Sequence, residues 1–161
     1  MMKKIKICFV IFFCLMLSIT RAQVSHNSEG HKMVMPDEIK WVKAPPSFPP
    51  GTMIAMIDGD MSKEGVFTVR AKLPAHYRIM PHWHLAAEHI TVLKGNFYMG
   101  IGEHFSEDAA MKIPEGGFAV MKKEARHYGF TAGEECIIQV HGIGPWSITY
   151  VNPSDDPRGS K

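Results

Sequence analysis

The chain has 161 residues, a length that permits one domain and places a single β-barrel or β-sandwich well inside the usual range. Its formal net charge is +2, but four of its 18 basic residues and none of its 16 acidic residues lie within residues 1–22. Without that segment the net charge is −2 and no stripe of Lys or Arg remains. Nucleic acid is therefore not expected as a partner, because its binding needs clustered positive charge.

Residues 1–22 have the pattern of a secretory signal peptide. Residues 1–6 are basic, residues 7–19 are apolar apart from Ser18, and Thr20 and Ala22 are small residues at the positions that a signal peptidase reads. The apolar run is shorter than the ~20 residues of a membrane span, although an uncleaved anchor is the alternative. We expect cleavage after Ala22 and a secreted or periplasmic protein without a membrane partner.

The next segments differ from one another in composition. Residues 23–40 are polar and are expected to form a flexible leader. Residues 41–51 are rich in proline and are typical of an extended connection. Residues 153–161 contain Pro and Gly and are expected to form a tail, so we assign the folded domain to residues 41–152.

Short strands separated by Gly and Pro turns dominate this domain. Residues 53–57 are uniformly apolar, which predicts a strand buried on both faces, and residues 66–73 alternate with Phe67, Val69, Ala71 and Leu73 inward. Gly95 and Asn96 form a turn signal of the kind that joins hairpin strands. Further strands are expected at 88–93, 97–101, 118–121, 127–131, 136–141 and 146–151. The pattern predicts an all-β antiparallel sandwich or barrel, without choosing between jelly-roll, immunoglobulin-like and lipocalin topologies.

Residues 81–95, PHWHLAAEHITVLKG, hold a concentrated group of metal-ligating side chains. His82 and His84 are two positions apart, so on an extended strand both side chains point to the same face. If residues 85–87 turn, Glu88 folds back onto that face, and two imidazoles and a carboxylate suit a divalent transition metal. Histidines scattered over a half-exposed strand are the alternative interpretation.

This segment resembles the first signature motif of the cupin superfamily, which runs glycine, five residues, HxH, three or four residues, Glu, six residues, glycine. His82, His84, Glu88 and Gly95 match it in identity and spacing. The leading glycine position holds His76 instead.

The second cupin motif runs glycine, five residues, PxG, two residues, His, three residues, Asn. Gly116 and His127 match it in identity and spacing. Lys122 and Glu124 stand where Pro and Gly are usual, and Thr131 stands where Asn is usual. These departures affect the turn before His127 more than the histidine itself.

The resemblance covers roughly residues 40–152 and implies a cupin-type jelly-roll β-barrel, or double-stranded β-helix. It implies one divalent transition metal ion (Mn, Fe, Zn or Ni) bound by His82, His84, Glu88 and His127, with positions left for water or substrate. A solvent-exposed histidine at a strand end is the alternative for His127. The implied function is a metal-dependent oxidoreductase or lyase acting on a small carbonyl or carboxylate compound. A non-catalytic small-molecule or metal-sensing module and a sugar isomerase are the alternatives.

Two further residues are candidates for a catalytic role. Arg78 has the same parity as His82, so it could line the barrel and hold an anionic substrate, although a solvated rim position is the more usual place for such an Arg. His141 belongs to the same predicted strand as Cys136 but points to the opposite face, and it could act as an acid or base if that face points inward. Cys136 itself is expected to be a buried apolar thiol. A small-molecule ligand is the expected partner, and the formation of a homodimer is left as an open alternative.

Overall fold

The computed structural model describes residues 27, 28 and 30–159. The predicted signal peptide and the first residues of the predicted leader lie outside this range. The chain divides into two units, Met1–Met33 and Val34–Lys161. In the first, strands β1 (Asn27–Ser28) and β2 (His31–Lys32) pair antiparallel. The described residues include no helix with the length and apolar character needed to cross a membrane.

Strands are the main regular elements in the described part of the second unit. They are β3 (Val42–Lys43), β4 (Met53–Asp58), β5 (Gly65–Leu73), β6 (Arg78–Trp83), β7 (Glu88–Lys94), β8 (Asn96–Ile101), β9 (Met111–Pro114), β10 (Phe118–Met121), β11 (His127–Phe130), β12 (Cys136–Gly144) and β13 (Thr149–Tyr150). Short 3₁₀ helices span Pro36–Glu38 and Pro153–Asp155.

These strands form two antiparallel sheets with the core between them. One sheet has the order β10-β7-β12-β5-β4-β3, and the other has the order β13-β6-β11-β8-β9. The long strands β5 and β12 pair along their whole length, from Leu73 with Cys136 to Gly65 with Gly144. The prediction of an all-β antiparallel jelly roll is confirmed, with two sheets that do not close into a continuous barrel.

The core follows the two-residue alternation of the strands. Phe67, Val69, Ala71 and Leu73 of β5 are at most 3 % exposed, as their pattern predicted. Each large apolar side chain buried in this way contributes roughly 1.5–3 kcal/mol relative to an exposed position. Other strands add Ile79, Ile90, Val92, Phe97, Met99, Cys136, Ile138 and Val140 to the same cluster. The buried thiol predicted for Cys136 is confirmed.

Two sequence-based predictions about strands are wrong. The strand β4 is not buried on both faces, because the side chain of Met56 is 39 % exposed. Strands β7 and β8 do not form a hairpin either, since they belong to different sheets. Gly95 joins them at a φ of +75°, and a Cβ there would lie 2.6 Å from the carbonyl oxygen of Glu135. This glycine therefore turns the chain from one sheet into the other, a role that a hairpin signal does not distinguish.

Candidate metal centre

Four buried polar side chains meet between the two sheets. His82 of β6 and His127 of β11 are opposite partners in one sheet. Glu88 is the first residue of β7 in the other sheet, and His84 lies in the link that joins β6 to β7. All four are at most 5 % exposed. The cluster therefore needs both sheets, because each supplies part of it.

A backbone carbonyl orients each of the three imidazole rings. The Nδ1 atoms of His82, His84 and His127 lie 2.8, 2.9 and 2.8 Å from the carbonyl oxygens of Met80, Ser147 and Ala125, respectively. Because a carbonyl oxygen only accepts, each Nδ1 must carry the proton and donate it. Each neutral ring then presents an unprotonated Nε2, which is how metal-binding histidines are commonly held.

The Nε2 atoms of His84 and His127 are buried without a hydrogen-bond partner among the described residues. Each lies 3.4 Å from Oε2 of Glu88. Leaving buried polar atoms unsatisfied costs free energy, so such atoms call for an explanation. One ring nitrogen from each of His82, His84 and His127 lies within 4.8 Å of the others, and these three residues could hold a metal ion. The donor set fits a divalent transition metal.

The protonation states also favour a cation. Burial lowers the pKa of His82 well below its usual value, and the positive charges of His127 and His84 would lower it further. Burial alone would raise the pKa of Glu88. The interactions of its carboxylate with His84 and His127 outweigh the effect of burial, so the pKa of Glu88 is held below its usual range. A neutral His82 beside a charged Glu88 is the state in which both can bind a metal.

A small cavity lies beside the cluster. His82, His84 and Glu88 form its polar wall. The remaining lining residues are apolar: Phe48, Ile54, Val69, Ala71, Leu73, Ile79, Ile138, Val140, Trp146 and Ile148. The centre of a water molecule can occupy about 30 Å³ of this space, which is room for roughly two waters. The candidate metal centre therefore faces a narrow and mostly apolar interior.

Sequence reasoning missed Trp146, which the sequence analysis treated only as part of a strand. Its ring stacks on His84, with 4.3 Å between ring centroids and 23° between planes. Its Nε1 is buried with no hydrogen-bond partner among the described residues. No local signal could have identified it, because it reaches the site only when the chain returns after β12.

The structure places both predicted catalytic residues, Arg78 and His141, outside the lining of the cavity, so Arg78 has the solvated rim position that was its alternative and the face of His141 points outward. The Arg78 side chain is 59 % exposed and pairs with Glu107. The parity argument failed because the pairing of β6 with β11 shifts register: His127 faces His82, whereas Gly129 faces Ile79. That bulge puts an extra residue into β6 and changes which side chains point inward.

His141 is exposed because β12 buries its other face. Cys136, Ile138 and Val140 point into the core, and strand alternation sends His141 to the outer surface. There its Nδ1 lies 3.0 Å from the hydroxyl of Thr68.

Two positions that depart from the cupin motifs keep a glycine-like backbone. His76 has a φ of +56° and Glu124 a φ of +61°, both in the left-handed region. The amide of Glu124 donates to the carbonyl of His84 at 2.9 Å, which ties this turn to the centre. Thr131, in place of the usual Asn, is buried, and its hydroxyl donates to the carbonyl of Pro74 at 2.6 Å. The turn before His127 therefore forms without the Pro and Gly that are usual in the second cupin motif.

Comparison with known proteins agrees with this architecture. The sequence profile described as the ChrR cupin-like domain matches residues 29–144. No curated protein matches the sequence.

Several solved structures share the fold at low sequence identity. The polyketide cyclase RemF from Streptomyces resistomycificus is 18 % identical, with a TM-score of 0.62 over 79 % of this chain and 89 % of that one. An RmlC-like cupin protein from Ralstonia eutropha JMP134 is 17 % identical, with a TM-score of 0.59 over 78 % and 74 %. A cupin-2 domain protein from Rhodospirillum rubrum is 8 % identical, with a TM-score of 0.57 over 78 % and 82 %. At these identities the similarity establishes the fold and leaves the chemistry to the site itself.

Proposed function

Because the chain belongs to the family of ChrR cupin-like domains, we propose that it holds one divalent transition metal ion between its sheets and presents it to a small carbonyl or carboxylate compound. His82, His84 and His127 would hold the ion, with Glu88 as the fourth ligand. The observation that carries this proposal is the arrangement of the rings. Three backbone carbonyls take the Nδ1 protons, and the Nε2 atoms of His84 and His127 have no hydrogen-bond partner among the described residues.

The surroundings determine what could reach such a centre. A bound divalent ion would act as a Lewis acid on an oxygen atom of the compound. The apolar walls exclude bulk water and admit only a small molecule with an apolar body. Among the described residues no Lys or Arg lines this cavity, so only the ion, with Glu88 offsetting one of its two charges, would attract an anion. Burying a charged carboxylate among the apolar walls would cost more than burying a neutral carbonyl compound, which favours the carbonyl compound.

Metal content is the first test. Protein purified without added metal should contain one divalent ion per chain by elemental analysis, and His82→Ala combined with His84→Ala should lose it. Retention of one ion per chain by a folded double variant would contradict the assignment.

The compound class can be tested with cobalt(II) as a spectroscopic probe. Butanone and acetate should be titrated separately into the cobalt(II)-loaded protein, with the visible absorption as the readout. The proposal expects butanone to change the spectrum at lower concentration than acetate does. An unchanged spectrum with both would remove the small-molecule part of the proposal and leave metal binding intact.

One observation favours a second candidate function, a non-catalytic metal-binding or sensing module. The cavity has room for roughly two water molecules, so a compound larger than this would need the walls to move. A protein that binds the ion but gives no spectral response to small oxygen compounds would fit this second function.

We also propose that the protein is exported. The support is the basic, apolar and small-residue series of residues 1–22. Amino-terminal sequencing of protein exported by a host with a standard secretion system should give Gln23 as the first residue. An intact Met1 in the soluble fraction would refute export by signal cleavage.

A further inference from the structure

The outer face of the six-stranded sheet carries a polar row that the interior centre does not use. Thr68 of β5 is the Cα partner of His141 in β12, and His141 is the partner of His89 in β7. On the other side of His89, its partner is Val120 of the edge strand β10. Two imidazoles therefore lie side by side on adjacent strands.

The two histidines are close enough to bind one ion together. Directly opposite residues of an antiparallel pair have Cβ atoms about 4.5–5.5 Å apart. The ring centroids of His89 and His141 are 6.4 Å apart, and the ring planes differ by 29°. His141 is exposed and His89 is half-buried, so solvent reaches this face. A modest rotation about the side-chain bonds would bring one nitrogen of each ring to a shared ion.

Neighbouring groups limit the freedom of both rings. The Nδ1 atom of His141 lies 3.0 Å from the hydroxyl of Thr68. That contact favours Nε2 as the ligand atom, as the carbonyl contacts do for the interior histidines. Phe118 stacks beside His89, with 6.1 Å between ring centroids and 16° between planes. Rings held in this way lose less conformational entropy when they bind an ion.

The nearest charge along β5 on this face is positive, and a neutral side chain engages it. Arg70 lies two residues after Thr68 on the same face of β5, and its Nε donates to the side-chain oxygen of Gln139 at 3.1 Å. The sequence analysis considered His141 for a role inside the barrel, and its outward position leaves that imidazole without an assigned function.

From this geometry we propose that His89 and His141 form a second metal site, a two-histidine chelate on the outer surface of the sheet. Two imidazoles with water in the remaining positions suit Cu²⁺, which accepts square-planar nitrogen and oxygen ligands and binds such donors more tightly than Ni²⁺ or Zn²⁺. The site is separate from the interior centre. Glu88 and His89 are consecutive residues of β7, so their side chains point to opposite faces of the sheet.

Copper titration of the full chain, followed by electron paramagnetic resonance, tests this proposal. The wild type should show a second Cu²⁺ component with nitrogen coordination, and His89→Gln and His141→Gln should each lose it. His104→Gln is the matched control, because His104 is exposed and lies in the loop between β8 and β9. It should retain both components.

A second measurement does not depend on variants that fold well. Cu²⁺ should protect His89 and His141 of the wild type from modification by diethyl pyrocarbonate, measured by peptide mass spectrometry, while His104 stays reactive. If neither histidine is protected, or if the two variants bind copper as the wild type does, the rings are only stacked and the proposal fails. The interior site is scored separately by its own copper component, so loss of one site does not count against the other.

Discussion

Removing one nitrogen from the histidine cluster should reduce the stability that a bound metal gives to the fold. His127 is suited to this test because it is buried, faces His82 directly, and has an Nε2 with no hydrogen-bond partner among the described residues. The substitution His127→Gln keeps a polar side chain of comparable length and removes the imidazole. The expected result is a smaller difference in Tm between the metal-loaded and metal-free protein.

The size of the effect follows from linkage between binding and folding. A metal at 100 times its dissociation constant stabilises the folded state by about 2.7 kcal/mol. Loss of a residue that hydrogen-bonds to a metal ligand weakens metal binding by up to ~100-fold. Loss of a direct ligand should weaken it at least as much. The remaining stabilisation is then about 0.4 kcal/mol. The difference of about 2.3 kcal/mol corresponds to about 5–9 °C in Tm for a protein of this size.

The assay is thermal unfolding followed by circular dichroism, with and without chelator, for the wild type, His127→Gln and His104→Gln. Comparing each protein with its own chelated form removes the effect of the substitution on the metal-free fold. The control His104→Gln should keep the full metal-induced shift. A metal-induced shift in His127→Gln equal to that of the wild type would refute the placement of the metal at this cluster.

Four other outcomes are expected. Chelation should lower Tm but leave the β-type circular dichroism spectrum at room temperature, because the two sheets bury a core of their own; loss of the spectrum would contradict this. Arg78→Ala should leave metal content and the butanone titration within about twofold of wild type, since its side chain is on the surface. Glu124→Gly should raise the free energy of unfolding, measured in urea, by about 0.5–1 kcal/mol. The reason is that glycine relieves about 1–2 kcal/mol of strain at the left-handed backbone of this position, which exceeds the entropic cost of glycine. The control Glu124→Ala keeps a Cβ and should show no such gain. Burial, followed by the charges of Glu134 and Glu135, raises the pKa of Cys136 to about 12 from 9.0. The native thiol should therefore resist alkylation at pH 8, and the free energy of unfolding should decrease from about pH 9 towards pH 12, because the unfolded thiol ionises first. Native labelling as fast as that of the denatured chain would disprove this.

The sequence alone predicted the local features of this structure, namely its strands and the residues that share a strand face. The alternation in β5 identified its inward residues, because the side-chain period of a strand depends on the strand alone. The two-residue spacing of His82 and His84 pointed to one face for the same reason, and a turn at residues 85–87 was needed to add Glu88. The structure brings these three residues together. The strand count and turns also indicated the all-β class.

Only the tertiary structure decided which strands are neighbours. Gly95 has the sequence signal of a hairpin turn, yet the strands on either side of it enter different sheets, because each strand buries its apolar face against the partner that the whole fold provides. The bulge in β6 is a property of its pairing with β11, so no pattern within β6 could show that Arg78 would leave the interior.

The same division applies to the candidate metal centre and to the outer face. Sequence and motif resemblance identified His127, but its position opposite His82 and the stacking of Trp146 on His84 are contacts between segments far apart in the chain. The burial of Cys136, Ile138 and Val140 sent His141 outward to meet His89. Local periodicity determines which residues of a strand share a face. Which face becomes the interior, and what lies opposite, depends on non-local packing that no single segment encodes.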